Sequence, residues 1–111
     1  MLESARYAAI FVSQRTDDDQ SGYAIMSQRM EELVHQQEGF IGLHSVRGAD
    51  GKGITVAYWT SLEAIHKWRN QLEHREAQRL GRSGWYEGYE ICVAKIERHT
   101  EFGSLSTTVG V

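Results

Sequence analysis

Three segments of this chain carry apolar residues on both faces of an extended backbone. From Tyr7 to Arg15, Tyr7, Ala9 and Phe11 point one way while Ala8, Ile10 and Val12 point the other. Gly53 to Thr60 sets Ile54, Val56 and Tyr58 against Thr55, Ala57 and Trp59. Tyr86 to Glu97 sets Ile91 and Val93 against Cys92, Ala94 and Ile96. Side chains alternate across a strand, so a sheet with one wet face shows apolar and polar residues in turn. These strands need cover on both sides.

The segments between them are helical. Ser21 has the chemistry of an N-cap, and Tyr23, Met26, Met30, Leu33 and Val34 then recur at helical spacing before Gly39. Phe40 to Arg47 reads as a further strand, joined to Gly53–Thr60 by a turn built on Asp50 and Gly51. Ser61 opens a second helix, with Glu63 in its first turn and Ile65, Trp68 and Leu72 as its apolar stripe. The tract runs on through Ala77 and Leu80 and is expected to break at Gly81 and Gly84, with a bend or a short third helix here. The order β-α-β-β-α-β predicts an α+β, ferredoxin-like fold, a four-stranded antiparallel sheet with the helices on one face.

Two helices shelter only one face of such a sheet. The other exposes more than the few hundred Å² of contiguous apolar surface that monomers usually carry. At about 25 cal/mol per Å², covering it favours association by on the order of 10 kcal/mol before entropy costs. The sequence therefore predicts a homodimer through the sheet face. The domain is expected to span residues 1–99, with Thr100 to Val111 as a loose, polar tail.

Charge and cysteine usage narrow the partners. A net charge of -3 offers no basic stripe for phosphate, which excludes a nucleic-acid partner. No apolar run approaches the ~18 residues of a membrane span. Cys92 stands alone, so an internal disulfide is excluded and a reducing, cytoplasmic location is expected. None of His35, His44, His66, His74 and His99 pairs at metal-chelating helical spacing, so no metal site is expected.

The blocks RYAAIFVSQR, QQEGFIGLHSVRGADGKGITVAYWTSLEAIHKW and RLGRSGWYEGYEICVAKIER resemble, in order and spacing, the antibiotic biosynthesis monooxygenase (ABM) family. The likeness runs over residues 5 to 98 and is most specific where Tyr58-Trp59 crosses into the helix that carries Trp68. It implies a dimeric α+β barrel with a pocket between sheet and helices in each subunit. It also implies cofactor-independent oxidation of a small aromatic, quinol-like or polyketide-like substrate by molecular oxygen. In that chemistry an electron-rich phenol loses a proton and its anion passes an electron directly to oxygen.

On this resemblance His74 and Trp68 are the expected catalytic pair, His74 as base and Trp68 as wall and indole donor. Both are placed on one helical tract. Tyr58, Trp59, Trp85 and Tyr86 are expected to line the site, and Arg79 or Arg82 to hold an anionic group. The competing reading makes Trp68 core filling and His74, within HREAQR, a solvated surface residue. A dimer that binds a small ligand without turnover, or serves in stress, is the second functional reading. Haem is the third: haem-degrading relatives use an asparagine on the first strand, a tryptophan on the second helix and an axial histidine about ten residues on. Trp68 matches, whereas Ser13 and Gln78 occupy the other two positions.

Overall fold

The strand Tyr7–Arg15, β1, lies inside the sheet in a computed structural model that describes residues 2–105. It is followed by α1 (Gln20–Val34), β2 (Phe40–Arg47), β3 (Lys52–Trp59), α2 (Leu62–Arg69) and α3 (Leu72–Leu80). A π-helical turn, Gly81–Trp85, leads into β4 (Tyr86–Lys95). The sheet order is β2-β3-β1-β4 with every pairing antiparallel. This is the ferredoxin-like α+β arrangement.

Register sorts the strand residues into two surfaces. Ala9 stands opposite Ala57 and Val93, and Phe11 opposite Thr55 and Ile91, on the face toward the helices. Ile10 stands opposite Val56 and Cys92, and Val12 opposite Ile54, on the face away from them. The core joins Val34, Leu43, Trp59, Ala64 and Ile65, with Tyr7, Phe40 and Trp68 packed against it. It fills one end of the space between helices and sheet. The outer face is bare in a single copy: Val46 is 63% exposed, Ile54 is 43% exposed, and Cys92 is exposed rather than the buried small residue its mid-strand position suggests.

Two local features depart from the sequence reading. The N-cap of α1 is Asp19, not Ser21; its carboxylate accepts from the Gly22 N–H while its backbone adopts φ 50°. Aspartate tolerates that left-handed geometry, and Gly22 leaves room for its side chain. The second helical tract is also divided at Asn70-Gln71, which makes its second part a third helix, α3, that ends at Leu80 before Gly81. Gln71 caps α3 by accepting from the His74 N–H at 2.8 Å. Gly81 keeps helical angles and continues the tract as the π turn. Of the predicted tail, residues 106–111 lie outside the described residues, and Phe102 and Leu105 are exposed.

Candidate active site

Beyond the core cluster the two layers enclose a cavity of about 400 Å³. Its floor is the inner face of the sheet, with Phe11, Ala57, Ile91 and Val93. Its wall is one face of α1, where Tyr23, Met26, Met30 and Val34 recur at helical spacing. Its roof is α3 and the π turn, through His74, Ala77, Gln78 and Trp85. The space is open along β4, where Ile91 and Val93 are 47% and 42% exposed although they face the helix side.

At one end stand Trp68 and His74, on different helices. The turn at Asn70-Gln71 folds α3 back so that the two rings lie 4.4 Å apart, tilted by 33°. Burial disfavours the imidazolium and lowers the His74 pKa from 6.5 to about 4, with the Arg69 carbonyl partly opposing. His74 is therefore neutral at physiological pH. The Gln78 amide nitrogen sits 3.1 Å from the Arg69 carbonyl and 3.0 Å from His74 Nδ1.

At the other end is a cluster of tyrosines and arginines. Arg47 runs along the inner face over Gly53, whose missing Cβ would fall 2.6 Å from the guanidinium carbon. It donates to the Gly51 carbonyl (2.6 Å), Ser13 Oγ (2.9 Å) and the Tyr23 hydroxyl (3.2 Å). The Tyr86 hydroxyl donates to Tyr23 at 3.3 Å. The Arg15 guanidinium lies 3.8 Å from the centre of the Tyr23 ring, and Trp85 meets that ring edge-on at 5.7 Å. Burial, first of all, pushes the Tyr86 hydroxyl above the ordinary tyrosine range and keeps it protonated.

Not every expected residue joins this space. Trp68, His74, Trp85, Tyr86 and Arg82 line it. Arg82 sits at the rim, donating to the Tyr89 hydroxyl at 3.2 Å. Trp59 borders the cavity but is 1% exposed and belongs to the core. Tyr58 lies on the outer face, because adjacent strand residues point oppositely, and packs against His44 at 5.8 Å. Arg79 is exposed and paired with Glu76, one helical turn away, outside the cavity lining. The sequence reading missed Tyr23, Arg47 and Tyr89. Arg47 gave no signal, being a single basic residue at a strand end.

The profile of the family described as antibiotic biosynthesis monooxygenase matches residues 10–80. The chain belongs to the ABM family. The uncharacterized protein YqjZ of Bacillus subtilis is 48% identical over 100 residues, covering 90% of this chain and 87% of YqjZ. Rv0793 of Mycobacterium tuberculosis superposes with a TM-score of 0.75 at 12% identity, covering 87% of this chain and 100% of that one. SnoaB of Streptomyces nogalater, a cofactor-independent oxygenase, superposes with a TM-score of 0.71 at 15% identity, covering 86% and 96%. These two likenesses speak to the ABM fold alone.

Haem does not fit the residues present. Ser13, at the asparagine position, is buried and spent on Arg47. Gln78, at the histidine position, is committed to Arg69 and His74. No group of three or more His, Cys, Asp or Glu that could hold a metal ion occurs among the described residues. No helix among them is long and apolar enough to cross a membrane.

Proposed function

We propose that this ABM-family chain is a cofactor-independent monooxygenase that oxidises a small aromatic, quinol-like or polyketide-like substrate with molecular oxygen. The observation that carries this reading is the largely apolar cavity, with a neutral, half-buried His74 against Trp68 at one end. An electron-rich phenol or quinol reacts as its anion, which transfers one electron to oxygen. The radical pair combines at carbon to give a hydroperoxide, and loss of water leaves a carbonyl. One oxygen atom enters the product and the other leaves as water, and the substrate supplies every electron.

The protein's part is to exclude water and to stabilise the developing negative charge. His74, neutral and lining the cavity, takes the phenolic proton as base or donates to the developing oxyanion. Trp68 fixes the imidazole plane by packing and forms a flat wall for an aromatic ring. We place the active species in a cytoplasmic homodimer whose subunits pack through the outer sheet face. The bare Val46 and Ile54 support that interface.

Oxygen uptake in metal-free buffer, with a panel of quinols and anthrone-like phenols, tests the reading. Uptake of one oxygen per product carbonyl, insensitive to chelators, is expected. Tight binding of these compounds with no oxygen consumed overturns it and leaves a ligand-binding dimer.

A further inference from the structure

We propose that Tyr23, backed by Arg47 and Arg15, forms a second recognition point in the cavity, which takes a phenolate or enolate oxygen of the ligand. The inference rests on reading the cavity as a site for oxygenated aromatics, and it asks only for binding.

Proton counting carries the first step. Tyr23 and Tyr86 hold two hydroxyl protons between them, and one of these is used in the hydrogen bond that joins them. Arg47 brings a further N–H to the Tyr23 oxygen. Whichever way the tyrosine pair is oriented, one O–H is left to donate, and no acceptor for it stands among the described residues. Both tyrosines line the cavity, so the unused proton belongs to a group that faces the ligand space.

Charge carries the second step. Arg15 and Arg47 approach Tyr23 from its ring face and its hydroxyl, at 3.8 Å and 3.2 Å. Neither has a carboxylate within ion-pair reach among the described residues; their hydrogen bonds go to carbonyls and hydroxyls. Two guanidinium groups without a counter-anion, beside an apolar cavity, set a positive potential that favours an anionic oxygen. A neutral ketone would gain little from that field.

Position carries the third step. Tyr23 lies in the first turns of α1 and Val34 ends it, about 16 Å apart at ~1.5 Å per residue. Trp68 packs on the core cluster that holds Val34, whereas Trp85 and Tyr86 pack on Tyr23. The Tyr23 hydroxyl and the His74 imidazole therefore sit toward opposite ends of one elongated site. A ligand that satisfies both carries oxygens at its two ends, as a dioxygenated aromatic ring system does.

A chromogenic phenol, 4-nitrophenol, tests this in the intact protein, because its bound phenolate is read directly by visible absorbance. The wild-type protein is expected to bind the phenolate at least about tenfold more tightly than the neutral phenol, lowering the probe's apparent pKa on binding. Tyr23→Phe should abolish that preference while changing affinity for the neutral probe less than about twofold. Tyr86→Phe, which removes the donor behind Tyr23, should weaken it in the same direction. An unchanged preference in Tyr23→Phe overturns the proposal. So does loss of the preference in His74→Phe alone, or no phenolate binding by the wild type at millimolar probe. Because no oxygen is consumed, an intact preference without turnover sinks only the oxygenase reading, and turnover without the preference sinks only this one.

Discussion

The His74 ring packs 4.4 Å from the Trp68 ring across the junction of two helices, and its Nδ1 is held by Gln78. A side chain fixed on one face by an indole and on one nitrogen by an amide presents its imidazole to the cavity without conformational cost. His74→Ala removes that imidazole and leaves the tyrosines at the other end of the cavity in place. Oxygen uptake should fall about 100-fold in kcat, with KM changed only about threefold or less. A variant with the wild-type rate would remove His74 from the chemistry.

The same burial makes His74 a pH-dependent load on the fold. Its folded pKa, about 4, lies below the ordinary 6.5, so between those values the unfolded chain binds more protons. The native state is thus fully favoured by this group above pH 6.5, and the advantage is lost as pH falls toward 4. The full loss is about 3 kcal/mol. Urea unfolding at pH 7 and pH 4.5 should show a smaller acid loss for His74→Phe than for the wild type. Equal losses would mean that the imidazole is charged or solvated in the folded state.

The fold was legible because period and punctuation agreed along most of the chain. The two-faced apolar runs of β1 and β3, Asp50-Gly51 between β2 and β3, and Ser61 before α2 each spoke for one structure only. The site was legible in part. Trp68 and His74 were both named, but what joins them is the break at Asn70-Gln71, which contains neither glycine nor proline. Its cap is a glutamine, a residue outside the usual capping set. Gly81 and Gly84 drew the boundary to themselves instead. The Tyr23–Arg47 pair spans 24 residues and two kinds of element, so no local spacing announces it.

Gly81 and Gly84 differ in what a side chain would meet. A Cβ at Gly81 would lie 2.9 Å from Tyr86 Cδ2, whereas at Gly84 nothing lies within 4 Å. Gly81→Ala should push the Tyr86 ring from its place over the turn and cost about 1–3 kcal/mol. Gly84→Ala should be neutral, or stabilise by about 0.5 kcal/mol through the unfolded chain. Thermal unfolding of the two variants side by side checks the contrast, which vanishes if the π turn is wrong.

Asp19 ties the start of α1 to the roof of the cavity. One carboxylate oxygen accepts from Gly22 N–H at 3.2 Å, and the other accepts from Trp85 Nε1–H at 3.3 Å. Asp19→Ala loses both and places alanine at φ 50°, so a loss of about 2 kcal/mol is expected in urea unfolding. Asp19→Asn keeps an acceptor and tolerates the left-handed backbone, so less than about half of that should be lost. Equal losses in both variants would show that the charge, not the cap, is what matters.

The outer sheet face decides the quaternary state. Ile10 pairs with Val56, Val12 with Ile54 and Val46 with Ile54, so these side chains form one contiguous apolar surface. Ile54 and Val46 are already exposed in a single copy, and a lysine at 54 leaves the chain's own core untouched. Within a sheet-to-sheet interface the same lysine buries an unpaired charge, costing several kcal/mol. That is enough to weaken a dimer by about 100-fold or more. Sedimentation at micromolar concentration should find the wild type as two copies and Ile54→Lys as one, with unchanged far-ultraviolet circular dichroism. A wild-type chain that sediments as a single copy under those conditions would mean that its exposed valine and isoleucines are tolerated in water, and the interface would have to be abandoned.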